Sequence, residues 1–183
     1  ALMGGVVRGT NSTAFRSGAA TAFMGGCEIN LTKARLAGAE AGVDRAAFGP
    51  AFAAARAAGL PGVPHAGEGD GPASVWAALR HLQPARIGHG VRAVEDPVLV
   101  AHLATAAIPL EVCPTSNVCT RVVPSLAEHP VGALIDAGVV VTVNSDDPHM
   151  FATTLTDEYR AVAAICGLDV DGVRVLRPVD HGD

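Results

Sequence analysis

Two adjacent carboxylates, Asp146 and Asp147, stand directly after the β-branched run Val141-Thr-Val in the stretch Val-Thr-Val-Asn-Ser-Asp-Asp-Pro. A charge at the end of a buried strand points to chemistry, because burying it costs free energy unless something pairs with it. Three earlier segments repeat the arrangement: His65-Ala-Gly-Glu68, Gly88-His-Gly90 and Leu110-Glu-Val-Cys113. Four strand ends therefore carry His65, Glu68, His89, Glu111, Asp146 and Asp147. These residue types suit a catalytic zinc site, which takes imidazole and carboxylate ligands and leaves a position open for water. His65 and Asp146 are candidate ligands. Glu68, three residues beyond His65, is placed as an acid near the metal. His89 is placed either to accept a proton from water or to stabilise the oxyanion formed when water adds to a substrate.

Each residue has a plainer reading. Glu68 could cap a helix ahead of Pro72, and Asp146-Asp147-Pro148 could be a turn opening the next helix. His89 between two glycines could mark a tight backbone passage. Glu111 is either a polar partner of the site or one half of a buried ion pair. The remaining histidines, His81, His102, His129, His149 and His181, read as surface groups.

Short apolar runs alternate with Ala- and Leu-rich helical stretches from about residue 36 onward, a rhythm of βα units. Pro50, Pro72, Pro97 and Pro130 mark helix starts, since proline is tolerated in the first turn where no intrahelical N–H bond is lost. Strands are expected at roughly 62 to 66, 86 to 89, 109 to 113 and 139 to 144, and a last helix from about Phe151 to Ile165. Reactive groups at the ends of consecutive parallel strands fit a (β/α)8 barrel better than an open doubly wound sheet, which concentrates its site at one switch point. The visible units make about half a barrel, so two domain segments are expected. Residues 1 to 35 are rich in Gly, Thr, Ser and Ala, broken by Gly4-Gly5 and Gly25-Gly26, and carry little periodicity. Residues 36 to 183 form the carboxyl-terminal part of the barrel, with a weakly patterned tail after Asp169. Half a barrel leaves sheet edges open, which predicts self-association or pairing with an amino-terminal half.

The chain has 183 residues, 49% hydrophobic, 17% charged, with a formal charge of -5. It has no basic stripe to neutralise a phosphate backbone, which argues against a nucleic-acid partner, and no apolar run reaches the ~20 residues that span a bilayer. The four cysteines, Cys27, Cys113, Cys119 and Cys166, form no CxxC pair and suit reduced packing thiols in a cytoplasmic protein.

The ordered set Leu36-Ala-Gly-Ala-Glu40, His65-Ala-Gly-Glu68, Arg86-Ile-Gly-His-Gly90, Pro109-Leu-Glu-Val-Cys-Pro-Thr-Ser-Asn117 and Asn144-Ser-Asp-Asp-Pro148 resembles the adenosine and adenine deaminase family of the amidohydrolase superfamily. The resemblance covers about residues 36 to 165. It implies a (β/α)8 barrel and zinc-dependent hydrolytic removal of the 6-amino group of a purine, with adenosine giving inosine and ammonia. Adenine or another 6-aminopurine derivative is the alternative substrate, and a non-catalytic truncated relative the alternative from another class. By the same resemblance His65 and Asp146 are zinc ligands, and Glu68 protonates the purine ring nitrogen. His89 positions and deprotonates the water, Asp147 holds the imidazole-ring side of the base, and the backbone of Gly38 holds the opposite edge. Two features depart from the family pattern. No His-x-His pair occurs in the chain, and Arg35 stands where the family has an acidic residue. The other zinc deaminase architecture, with its P-C-x-x-C signature, is disfavoured because five residues separate Cys113 from Cys119.

Overall fold

The computed structural model describes residues 5–8, 20–24, 27–29, 33–38 and 40–169, the first three segments by their backbone path. Among them eight strands form one sheet in the order β1 to β8. They are β1 (Gly5–Arg8), β2 (Ala20–Met24), β3 (Cys27–Ile29), β4 (Ala34–Leu36), β5 (Gly62–Ala66), β6 (Ile87–His89), β7 (Leu110–Val112) and β8 (Val141–Val143). From β4 to β8 every pairing is parallel. A parallel neighbour requires a crossover, and helices supply most of them: α1 (Gly49–Ala57), α2 (Pro72–Leu82), α3 (Pro97–Thr105), and the pair α4 (Pro114–Cys119) and α5 (Val131–Asp136) between β7 and β8. The last helix, α6 (Leu155–Cys166), follows β8. This is an α/β fold of the (β/α)8 barrel type, present in part.

Four strands fall before residue 37, in the stretch the sequence left without periodicity. There β1 pairs parallel to β2, while β2–β3 and β3–β4 are antiparallel. The direction of β3 departs from the all-parallel order of a barrel. The tail beyond residue 169, with His181, and the breakers Gly4, Gly25 and Gly26 lie outside the described residues.

Helix starts follow the prolines: α1 to α4 each carry Pro in the first two positions, and Pro130 is the cap of α5. Asp96 adds a side-chain cap to α3, accepting from the N–H groups of Val98 and Leu99. Thr154 caps α6 through the N–H of Asp157, so that helix begins at Leu155 rather than at Phe151. Left-handed glycines at Gly59, Gly138 and Gly167 end α1, α5 and α6. Between sheet and helices lies one apolar cluster that includes Phe52, Leu82, Ile87, Leu99, Leu103, Leu110, Leu134 and Val162. Truncating such a side chain to Ala costs about 2–5 kcal/mol. This core holds the strands in a register that sets His65 beside Gly88, Ala66 beside His89, and Gly88 beside Glu111. Sequential parallel neighbours bring their carboxyl ends to one side, and that side carries the polar set.

Candidate active site

Three groups that the sequence singled out meet at the ends of β5 and β6. Ligand atoms of His65, Glu68 and His89 all lie within 4.8 Å of one another. The His65 and His89 rings meet edge to face, with centroids 4.6 Å apart. That contact depends on Gly88: a Cβ there would sit 2.6 Å from His65 Cδ2. Gly90 is as constrained, since a Cβ would meet Leu110 Cδ2 at 2.6 Å and its φ is +71°. The Gly-His-Gly triplet is thus a tight passage, as the plainer reading held, and it also delivers a site residue.

Asp146 closes the mouth from the β8 side, its Oδ2 3.9 Å from His89 Nε2. Ser116 of α4 donates to that same oxygen at 2.8 Å. Both His89 and Asp146 have left-handed backbones, φ 60° and 55°. Non-glycine residues there carry about 1–3 kcal/mol of strain, a cost that clusters at functional positions.

Glu68 faces His89, Oε2 to Nε2 3.4 Å. Its loop is shaped by Glu40, a buried carboxylate whose Oε2 accepts from the N–H groups of Glu68 at 3.1 Å and Asp70 at 2.9 Å. Burial pushes the Glu68 carboxyl up to about 7, the charges of Glu40 and Asp146 push the same way, and the Thr120 hydroxyl opposes them. A carboxylic acid poised near neutrality suits general acid catalysis. Burial drives the imidazoles the other way. His65 falls to about 3, helped by His89, Arg35 and Lys33, and His89 falls to about 4 against the pull of Asp146. Both rings are neutral at pH 7.

The β4 side of the mouth holds a surprise for the sequence. Arg35 Nη2 lies 2.8 Å from His65 Nε2. A guanidinium only donates, so Nε2 accepts and the His65 proton sits on Nδ1. The donors fit a divalent zinc in kind: a neutral imidazole with its lone pair in the mouth, and a carboxylate. They are two where zinc sites have three or four protein ligands, and the imidazole lone pair is already engaged by a cation.

Gly38, with φ +103° and open space where a Cβ would stand, lines a solvent-open hollow of about 240 Å³ with Leu36, Glu40, Val43, Arg45 and His65. Asp147 is exposed and spends Oδ1 on the N–H groups of His149 and Met150, the turn-forming alternative. Its Oδ2 meets no hydrogen-bonding group among the described residues. Glu111 takes the ion-pair alternative, 3.6 Å from Arg86.

One expectation fails outright. His129 is not a surface group: it is 4% exposed, accepting from the Val131 N–H at 3.2 Å and meeting Asn117 Oδ1 at 3.2 Å. It follows a 3-10 turn that folds it under α4, where no local periodicity could have placed it. His81, His102 and His149 are exposed as expected. Cys113 packs inside, whereas Cys119 is exposed. Sequence reasoning also gave no role to Ser116, Asn117, Thr120 or Glu40. The Pro-Thr-Ser-Asn signal was visible, but the partners of the Ser116 and Asn117 side chains lie 12 to 30 residues away in sequence, and those that tie Glu40 and Thr120 to Glu68 are 28 and 52 residues away. Glu158, read only as part of an amphipathic helix, is fully buried and accepts from the Thr115 N–H at 3.0 Å, pinning α6 to the start of α4. No helix among the described residues is long and apolar enough to cross a membrane.

Comparison with known proteins agrees with this geometry. The chain is 56% identical over 141 residues to the aminodeoxyfutalosine deaminase of Streptomyces avermitilis, a match that covers 77% of this chain and 39% of that protein. An adenine deaminase structure from Arthrobacter aurescens superposes with a TM-score of 0.76 at 35% identity, over 80% of this chain and 45% of that one. A Burkholderia ambifaria amidohydrolase solved with bound zinc superposes with a TM-score of 0.70 at 26% identity, over 78% and 40%. The chain thus spans less than half the length of these relatives. The adenosine deaminase family model matches residues 27–177, reaching back beyond the motif at Leu36. With five parallel strands carrying the motif residues to one mouth, and a family match over most of its length, the chain belongs to the adenosine deaminase family.

Proposed function

We propose that this chain contributes the acid-bearing half of a hydrolase that removes the 6-amino group of a purine derivative as ammonia. The observation that carries the reading is Glu68: a carboxyl group held near pH 7 and set 3.4 Å from His89 Nε2 at the strand-end mouth. Loss of an amino group from C6 needs a proton on the adjacent ring nitrogen, so that electrons displaced by the attacking oxygen have somewhere to go. Glu68 supplies that proton while still protonated at neutral pH. His89 holds the attacking water and the charge that develops on its oxygen; of the two protons the water gives up, one goes by way of the Glu68 carboxylate to the departing amino group, which leaves as ammonia, and the other restores Glu68 to its acid form. The Gly38 backbone takes one ring edge and Asp147, through its uncommitted Oδ2, takes the other.

His65 and Asp146 would hold a zinc ion together with further ligands supplied from outside the described residues. When bound, zinc supplies the Lewis acidity that lets water ionise near neutrality. Arg35 has to leave His65 Nε2 for this to happen. Among the substrates that the relatives are named for, aminodeoxyfutalosine is attached to the higher identity, 56% against 49% for an adenine deaminase and 43% for an adenosine deaminase, and it is the first to try. Adenosine and adenine complete the panel.

The test co-expresses the chain with the amino-terminal part of the Streptomyces relative, adds zinc, and measures ammonia release from the three compounds. Release that depends on Glu68 is the expected result. A complex that assembles and binds zinc yet frees no ammonia from any of them overturns the reading.

A further inference from the structure

His89 is hydrogen-bonded on its outer side to Asn117 of α4, with Asn117 Nδ2 and His89 Nδ1 3.2 Å apart, while its Nε2 faces Glu68 Oε2 at 3.4 Å and Asp146 Oδ2 at 3.9 Å. Behind Asn117 stands His129, Nε2 to Oδ1 3.2 Å, and behind His129 stands the backbone N–H of Val131, 3.2 Å from Nδ1. Such chains usually have an ambiguous direction, because amide orientations and imidazole tautomers are interchangeable. Here a backbone N–H sits at one end, and a backbone N–H can only donate. His129 Nδ1 must therefore accept, which leaves the proton of this neutral ring on Nε2. That proton goes to Asn117 Oδ1, so the amide must present its NH2 to His89. His89 Nδ1 accepts in turn, and the remaining proton of its neutral ring is on Nε2, facing Glu68 and Asp146.

We infer that His129, acting through Asn117, is a positioning residue that fixes His89 as the Nε2–H tautomer. The inference rests on the reading of His89 as a site residue and adds its direction: Nε2 donates into the mouth. An imidazole so fixed stabilises an oxygen that is gaining negative charge at C6. It does not take a proton from water at that nitrogen. Both outer members are buried, His129 at 4% and Asn117 at 0% exposure, so water does not compete for the relay. A purely structural histidine at 129 would fill space equally well in either tautomer. Only a polar relay ties its state to that of His89, one strand away.

The test reads tautomers directly, by long-range 1H–15N spectra of the whole chain labelled on histidine, at pH 7 without metal or substrate. His89→Gln and His129→Phe assign the signals. Native protein is expected to show His89 protonated on Nε2 alone. Asn117→Asp is nearly isosteric but can only accept, so it still satisfies His129 and moves the His89 proton to Nδ1. His129→Gln keeps a donor to Asn117 and preserves the native tautomer, while His129→Phe frees the amide to turn and yields a mixture. In the co-expressed enzyme, Asn117→Asp lowers kcat by about 10²–10⁴-fold, the scale of a misdirected catalytic imidazole, with KM within about twofold. Native His89 protonated on Nδ1, or Asn117→Asp leaving His89 on Nε2, overturns the inference. If Asn117→Asp does not fold, as read by circular dichroism, the His129→Phe and His129→Gln pair decides: identical His89 signals in both overturn it. Because the spectra need no turnover, a chain that releases no ammonia ends the deaminase reading without touching this result.

Discussion

The two walls of the mouth are built to different standards. On the β6 side, His89 is backed by Asn117, His129 and a backbone N–H, and every polar atom in that line has a partner. On the β4 side, His65 is met by Arg35, and behind it Arg35 Nε, Arg45 Nε and Glu40 Oε1 are buried without a hydrogen bond among the described residues. Arg45 and Glu40 approach only to 3.9 Å. Leaving a buried polar group unmade costs about 1–3 kcal/mol. Among the described residues, the first wall has a partner for each of these polar atoms and the second does not. The comparison teaches that a site spread over several strands is only as complete as the set of strands present.

The strongest way to break the comparison is at the shared acid. Glu68→Gln, tested in the co-expressed enzyme, is expected to cut ammonia release by about 10²–10⁴-fold while zinc content is unchanged. His89→Ala should do the same. In both cases retained turnover would remove that residue from the reaction. Wild-type release should also fall as pH rises through about 7, where Glu68 loses its proton.

Acid comes next, and it strikes both walls. The folded pKa values of His65, His89 and His129 lie at about 3, 4 and 4, below the ordinary 6.5, so unfolded chains bind these protons first. Their contribution to stability is present above pH 6.5 and drains away as pH falls toward 3 to 4, by up to about 1.4 kcal/mol per pH unit per proton. Glu68 has the opposite sign: its raised pKa favours the fold below about 4.5, and that benefit is lost as pH rises through about 7. Urea melts at pH 7, 5.5 and 4.5 should show a net loss toward acid. His129→Phe should flatten the slope by one proton, and an unchanged slope would show that this ring is not buried neutral.

Gly88→Ala sharpens the contrast, because its Cβ meets the His65 ring at 2.6 Å. It should cost about 1–3 kcal/mol in urea melts and disturb His65 signals more than His129 signals. The smallest effect is expected at Arg35. Removing its charge from beside His65 by Arg35→Ala should tighten zinc binding by about tenfold in a chelator competition, and weaker binding would mean that Arg35 helps to hold the site.

Much of this was legible in advance where the encoding is local. Pro72 and Pro97 start helices because proline needs no N–H partner in the first turn. The run Val141-Thr-Val is a strand because β-branched residues fit a pleated, buried surface. His65, Glu68, His89 and Asp146 were found from their position at strand ends, since parallel strands in sequential order must deliver their ends together. Three things were not legible. His129 sits in Glu-His-Pro, a polar turn by composition, and its burial is decided by how α4 and α5 fold over it. Arg35 stood out in the sequence only as a departure from the family pattern, and it is the pairing of its strand with the next that places it against His65. The strands β1 to β3 lack alternation, so their pairing comes from partners rather than from pattern.

His89 and Asp146 share one more property, their left-handed backbones. Most L residues resist that conformation, and β-branched ones resist it most. Asn and Gly adopt it readily. A descendant that abandoned the reaction would thus have an inexpensive exit at position 146, to Asn, which discards the acid yet keeps an oxygen to accept from Ser116 and leaves the chain trace undisturbed. Loss of activity and loss of fold are uncoupled there, so silent relatives of this protein can persist as folded molecules.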